Sequence, residues 1–251
     1  MALWLLPLAL MVGMLLGTLG GGGAILTVPI LTTLVHQTPA QATAGSLVVV
    51  GLSSLVGLVP HQRAGRVRVA DGVTFGLLGV VGAAVGSRAS TAVRGPVLMT
   101  AFAALLIVVA AIMWRRRSRA TAATGAERGW LAKVAAATGV GLLTGFFGVG
   151  GGFVIVPALT LVLGLPMTTA VATSLLVIAI NSAASLATRA STGLDLDWSV
   201  IAPFAVLAVI GTLLGARVSQ RLDQDRLQVA FIVLLVLVAI GVAAQNLPRL
   251  A

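Results

Sequence analysis

GTLGGGGAILTVP at 17–29 returns as GFFGVGGGFVIVP at 145–157. With an offset of 128, positions 13–32 and 141–160 share ten identical residues in twenty. Gly17, Gly20, Gly22, Gly23 and Pro29 thereby pair with Gly145, Gly148, Gly150, Gly151 and Pro157. Both copies sit inside long apolar stretches, so a glycine-broken membrane segment occurs twice. That pattern points to a transporter whose site lies between two repeats.

Composition sets the solvent. Of 251 residues, 59% are hydrophobic and 9% charged, and the mean hydropathy is +1.11. A water-soluble surface needs more polar residues than this. Ten apolar segments stand out, near 2–19, 24–35, 42–60, 70–87, 96–114, 130–147, 152–163, 170–187, 199–216 and 227–247. Eight hold about 18 residues or more, enough to cross the hydrocarbon core. The segments 24–35 and 152–163 span only about half a bilayer, and each follows a glycine cluster. The net charge of +10 does not signal nucleic acid, because the basic residues fall between spans, where topology control explains them. With no cysteine, disulfides and cysteine-ligated metals are excluded. The opening MALWLLPLALMVG lacks a basic region before its apolar run, so a cleaved signal peptide is not expected.

The polar stretch RRRSRATAATGAERG at 115–129 reads as a linker. It divides the chain into an N-terminal transmembrane repeat, 1–114, and a C-terminal one, 130–251. Each half has a long span, a glycine break, a short helix and three more spans. The fold class is therefore an all-α polytopic membrane protein of 8–10 membrane segments built from two homologous repeats. A second echo supports the duplication: GAAVGSRAS at 82–90 matches GTLLGARVS at 211–219. Its G-x-x-x-G pairs predict close helix packing, with Arg88 and Arg217 at the membrane edge. The density of positive charge predicts a cytoplasmic linker. Arg63, Arg66 and Arg68 then lie inside, and Arg88 and Arg94 outside. Arg217, Arg221 and Arg226 are outside if the broken unit crosses once. They are inside if it returns, which makes the repeats inverted. Inversion is the arrangement expected here.

The breaks expose chemistry. Glycine interiors and the prolines that follow disfavour a continuous helix. The half-helices after them begin with free N–H groups of positive character, a natural anion site. Close packing by small residues is the competing reading. GxGGG is no dinucleotide motif without a βαβ context.

Polar residues within spans are the other candidates. Thr43 and Ser46 open the 42–60 span. Thr173 and Ser174 take the matching place in the second half, and Asn181 and Ser182 align with Ser53 and Ser54. The candidate substrate-binding set is backbone at Gly20, Gly22, Gly23, Gly148, Gly150, Gly151 and Gly152, with side chains of Thr43, Ser46, Thr173, Ser174 and Asn181. Serine and threonine can equally bond their own helix carbonyls. Acidic residues fall at loops or span edges, which argues against a buried proton relay. His36 and His61 read as interfacial residues in connections. Arg63 and Arg189 flank polar turns, where they can draw anions to a mouth.

The paired G-x-x-G-x-G-G-x-x-x-x-x-P motif, in two four-to-five-helix halves, resembles the TauE/SafE family of membrane permeases. PAQATAGSL at 39–47, HQRAG at 61–65 and LPMTTAVATSLLVIAINS at 165–182 also fit. The resemblance implies a sulfur oxyanion substrate, sulfite or an organosulfonate. The expected function is secondary transport by alternating access between the repeats, in the export direction, within the cell membrane. A channel-like facilitator of the same anion is the alternative. No nucleophile–base pair, metal cluster or cofactor signature supports an enzyme. The expected partners are a small anionic substrate and the lipid bilayer, with no nucleic acid and no cofactor; a homo-oligomer stays open.

Overall fold

The computed structural model describes residues 5–90, 95–117, 130–147, 152–190 and 196–246. These form ten helices and no strand. They are α1 Leu5–Leu19, α2 Gly22–Thr33, α3 Pro39–Arg63, α4 Val69–Ser90 and α5 Gly95–Arg117, then α6 Trp130–Phe147, α7 Gly152–Leu161, α8 Met167–Ala190, α9 Trp198–Arg221 and α10 Gln224–Asn246. Six of them, α3–α5 and α8–α10, are long and apolar enough to cross a membrane. Leu77, Val81, Leu237 and Ile240 stand more than half exposed, as lipid-facing side chains do. Trp114, Trp130 and Trp198 are exposed near helix ends, where indoles favour the membrane interface.

The other four helices make two hairpins. Gly20 lies at φ +79°. Its N–H donates to the Leu16 carbonyl at 2.8 Å, and that of Gly21 to Leu19 at 3.0 Å, which ends α1. The chain then returns beside itself. A Cβ on Gly23 would overlap the Val12 carbonyl, and Leu5 and Ala9 share a core cluster with Ile30 and Leu31. The first apolar segment and α2 thus form a hairpin around the glycine break. At the far end of α7, Arg116 of α5 donates to the Leu161 carbonyl at 3.0 Å. At the start of α6, Lys133 pairs with Asp71 of α4 at 3.0 Å.

Element boundaries recur at a constant offset. α3 and α8 start 128 residues apart, at Pro39 and Met167; α5 and α10 start 129 apart, at Gly95 and Gln224. The same turn follows α2 and α7. Gln37 N–H donates to Leu31 and Leu165 N–H to Leu159, each at 3.1 Å, with His36 and Gly164 both left-handed. α3 starts from a capping box, in which the Thr38 hydroxyl and the Gln41 amide each accept from the other's backbone N–H.

The halves interlock through their glycines. α1 lies parallel to α9: a Cβ on Gly13 or Gly17 would overlap the Ala208 or Thr212 carbonyl, and one on Gly211 or Gly215 the Leu10 or Met14 carbonyl. α6 lies on α4 in the same way, with Gly141 and Gly145 against Gly79 and Ala83, and Gly86 against Leu142. The predicted close packing of both G-x-x-x-G motifs is observed, each against the first helix of the other half. Thr212 donates to the Gly13 carbonyl at 3.1 Å, and Thr18 to Gly215 at 3.2 Å.

These contacts fix direction. Gly57 faces Leu175 and Gly51 faces Ser182, so α3 and α8 are antiparallel. Gln220 donates to the Pro60 carbonyl at 3.3 Å, which puts the end of α9 on the face where α3 ends. The hairpins therefore enter from opposite faces. Their tips meet where a Cβ on Gly21 would overlap the Gly152 carbonyl.

Candidate functional site

A cavity of about 320 Å³ lies between α2, α3, α4, α6 and α8. Each wall follows helical spacing, so one face of each helix turns inward. On α8 a polar track runs through Asn181, Ser182, Ser185, Thr188 and Arg189. Eight residues rise about 12 Å, from the middle of the helix to its end. Thr43 and Ser46 of α3, Ser87 of α4 and Thr144 of α6 face the track. Leu47, Val50 and Val80 supply apolar wall, and Ala24 and Val28 of α2 bring the first hairpin to it. Among the described residues no carboxylate lines the cavity, and Arg189 is its charged group. The mouth lies on the face of Arg189, opposite Arg66.

Hydrogen bonding qualifies the roles. Asn181 Oδ1 is buried without a partner; a half-turn of the amide presents its NH2 instead. The Ser46 hydroxyl donates to the Thr43 carbonyl at 2.8 Å, so it must exchange that bond to serve an anion.

The candidates separate. Thr43, Ser46 and Asn181 come together in the cavity. Thr173 and Ser174 lie toward the other face: the Thr173 hydroxyl oxygen accepts from the Arg68 N–H at 3.1 Å, and Ser174 donates to the Val171 carbonyl at 2.8 Å. Gly20, Gly22 and Gly23 do not line the cavity. Gly20 packs on Ser174, Gly22 on the Leu234 side chain and Gly23 on α1. Gly152 packs on Gly21 and Ile178. Gly148, Gly150 and Gly151 lie outside the described residues.

One sequence reading is corrected. His61 is in the last turn of α3 and 0% exposed, not in a connection. The helix runs on through HQR and closes beyond it, with Arg66 N–H donating to the His61 carbonyl and Gly65 N–H to Gln62 at 3.1 and 3.0 Å. Ser87, Ser185 and Thr188 were not singled out by sequence. Ser185 and Thr188 stand four and seven residues after Asn181, so extending its helical face would have found them.

A family model described as sulfite exporter TauE/SafE matches residues 5–242. The chain belongs to this family. It is 34% identical over 221 residues to a probable membrane transporter protein of Xylella fastidiosa, covering 86% of this chain and 84% of that one. It is 26% identical over 217 residues to the probable membrane transporter protein YdhB of Bacillus subtilis, covering 84% and 86%. A probable membrane transporter protein of Methanocaldococcus jannaschii is 23% identical over 244 residues, covering 90% of this chain and 91% of that one. No solved structure matches. This family member is a multi-pass membrane transporter.

Proposed function

We propose that the protein is a secondary transporter of a small sulfur oxyanion, sulfite or an organosulfonate, acting in export by alternating access between two inverted repeats. The observation that carries this is the cavity: hydroxyls, an amide and Arg189, with no lining carboxylate among the described residues. Those side chains donate hydrogen bonds, and a sulfur oxyanion offers several acceptor oxygens. Leu47, Val50 and Val80 give room and apolar surface for the carbon tail of a sulfonate. The family description supports the export direction. The crossing of Gly21 and Gly152 beyond the cavity favours a carrier over a facilitator, since a carrier needs its path barred on one side. The glycines act as the crossing point, where a side chain would drive the hairpins apart.

Counterflow in proteoliposomes tests the reading. Labelled sulfite, sulfate and small sulfonates should show saturable uptake that unlabelled substrate inside accelerates. Uptake without that acceleration would move the assignment to a facilitator. No uptake of any sulfur oxyanion would remove the substrate class.

A further inference from the structure

The polar residues of the open cavity have counterparts 128 positions away. The shift carries Ser46 to Ser174, Asn181 to Ser53, Ser182 to Ser54 and Arg189 to His61. All four counterparts are 0% exposed. Ser53, Ser54 and His61 follow helical spacing down one side of α3 toward the Arg66 face. The buried His61 ring faces the Gly17 carbonyl of α1. Ser53 Oγ, Ser54 Oγ and Arg66 Nη1 are buried without a hydrogen-bond partner. Native interiors leave few such groups, and each calls for a cause.

The surrounding contacts supply one. Gly57, between Ser54 and His61, has α9 pressed onto it: its Cβ position is 4.0 Å from Thr212 Cβ, and Leu175 Cδ1 is 3.5 Å away. Gln220 ties α9 to the Pro60 carbonyl at 3.3 Å. The Arg68 N–H, in the turn after α3, is held by Thr173 at 3.1 Å. Donors are thus gathered on one path, and two latches and one helix contact cover them.

We infer that Ser53, Ser54, His61 and Arg66 line a second vestibule for the same small oxyanion, closed here and opening on the Arg66 face when the Arg189-face cavity shuts. This rests on the transporter reading above. The donor chemistry matches that of the open cavity, with hydroxyls at mid-depth and a basic group at the mouth. Entering water or anion would satisfy the orphan groups, whose desolvation otherwise goes uncompensated. Thr173 then has a role outside the cavity, as a latch on the closed side.

The chain has no native cysteine, so introduced thiols report alone. Ser54→Cys is a one-atom change. Its thiol should react with a small membrane-impermeant methanethiosulfonate from the Arg66 face only. Gly57→Cys with Thr212→Cys has the Cβ separation of a disulfide. In a chain carrying all three substitutions, oxidation of that pair should slow the Ser54→Cys reaction at least tenfold. In a chain carrying the pair alone, it should lower labelled sulfite flux at least tenfold, restored by a reducing phosphine.

Reaction from the Arg189 face alone, or none from either face, overturns the vestibule. So does a verified disulfide that leaves the reaction at its reduced rate. Arg66-face reaction with oxidative protection, but no sulfur oxyanion flux, keeps the vestibule and rejects the substrate. Sulfite flux without Arg66-face reaction does the reverse. If the triple variant fails to accumulate, the Ser54→Cys variant decides alone.

Discussion

At the scale of single residues, the site rests on few donors. Asn181 stands at the inner end of the polar track with an unpartnered buried amide oxygen. Asn181→Ala should weaken sulfite binding by about 1–3 kcal/mol, the usual loss for a hydrogen bond to a charge. That corresponds to roughly five- to 150-fold in Kd, readable by titration of the purified protein. Arg189→Gln should weaken binding too, and should flatten its dependence on ionic strength, because it removes the one charge that lines the cavity among the described residues. A Kd and salt dependence unchanged by both substitutions would place the site elsewhere. His36 tests the backbone instead. It occupies a left-handed turn at φ 58° where Gly164 stands in the other half. L residues pay roughly 1–2 kcal/mol there, so His36→Gly should stabilise the protein by about 1 kcal/mol after its entropy cost. A raised thermal midpoint in detergent, with transport unchanged, is the expected result.

At the scale of elements, two glycine seams hold the halves together, and they are unequal to polar contacts in strength. Gly17→Val forces a branched side chain onto the Thr212 carbonyl. It should destabilise by about 1–3 kcal/mol, the range for overpacking. Thr212→Val removes the hydroxyl shared between the Gly13 carbonyl at 3.1 Å and the Ala208 carbonyl of its own helix at 2.8 Å, about 0.6–2 kcal/mol for hydrogen bonds between membrane helices. Gly139→Ala, with nothing near its Cβ position, should be neutral or stabilising through helix propensity. Unfolding of the three variants in one detergent ranks them. Equal loss at Gly17 and Gly139 would deny the seam. The motifs at 82–90 and 211–219 made close packing legible, because glycine spacing states that a helix approaches. They did not state which helix, since carbonyl oxygens of any sequence fit the groove. Helices α2 and α7 were legible as half-length. That each folds back on its long companion was not, because hydropathy reports apolar length and not the turn. In the site, Asn181, Thr43 and Ser46 were legible as polar groups within spans. The separation of Thr173 and Ser174 from them was not, because alignment pairs them with Thr43 and Ser46 by position while α3 and α8 run antiparallel.

At the scale of the whole molecule, direction decides mechanism. Charge counting left the face of Arg217, Arg221 and Arg226 open. Packing resolves it, because Gln220 bonds the Pro60 carbonyl and Gln228 bonds that of Met113 at 3.1 Å. Arg63, Arg66, Arg68, Arg115, Arg116, Arg117, Lys133, Arg217, Arg221 and Arg226 then share one face, with Arg88 and Arg189 on the other. Positive charge concentrates on the cytoplasmic side of membrane proteins, so the Arg66 face and the 115–129 linker should be cytoplasmic and the open cavity should face out. Single thiols test this in the cysteine-free chain. Arg66→Cys and Arg221→Cys should both be blocked only by a reagent that reaches the cytoplasm, and Trp198→Cys by an impermeant reagent added outside intact cells. A split result, with Arg66→Cys and Arg221→Cys on opposite faces, would require a single crossing by the hairpin of α6 and α7 and would end the inverted arrangement. All three sites reversed together would keep the inversion and turn the cavity inward. An exporter would then load at the 320 Å³ cavity and release through the closed side, so orientation alone determines which vestibule meets the substrate first.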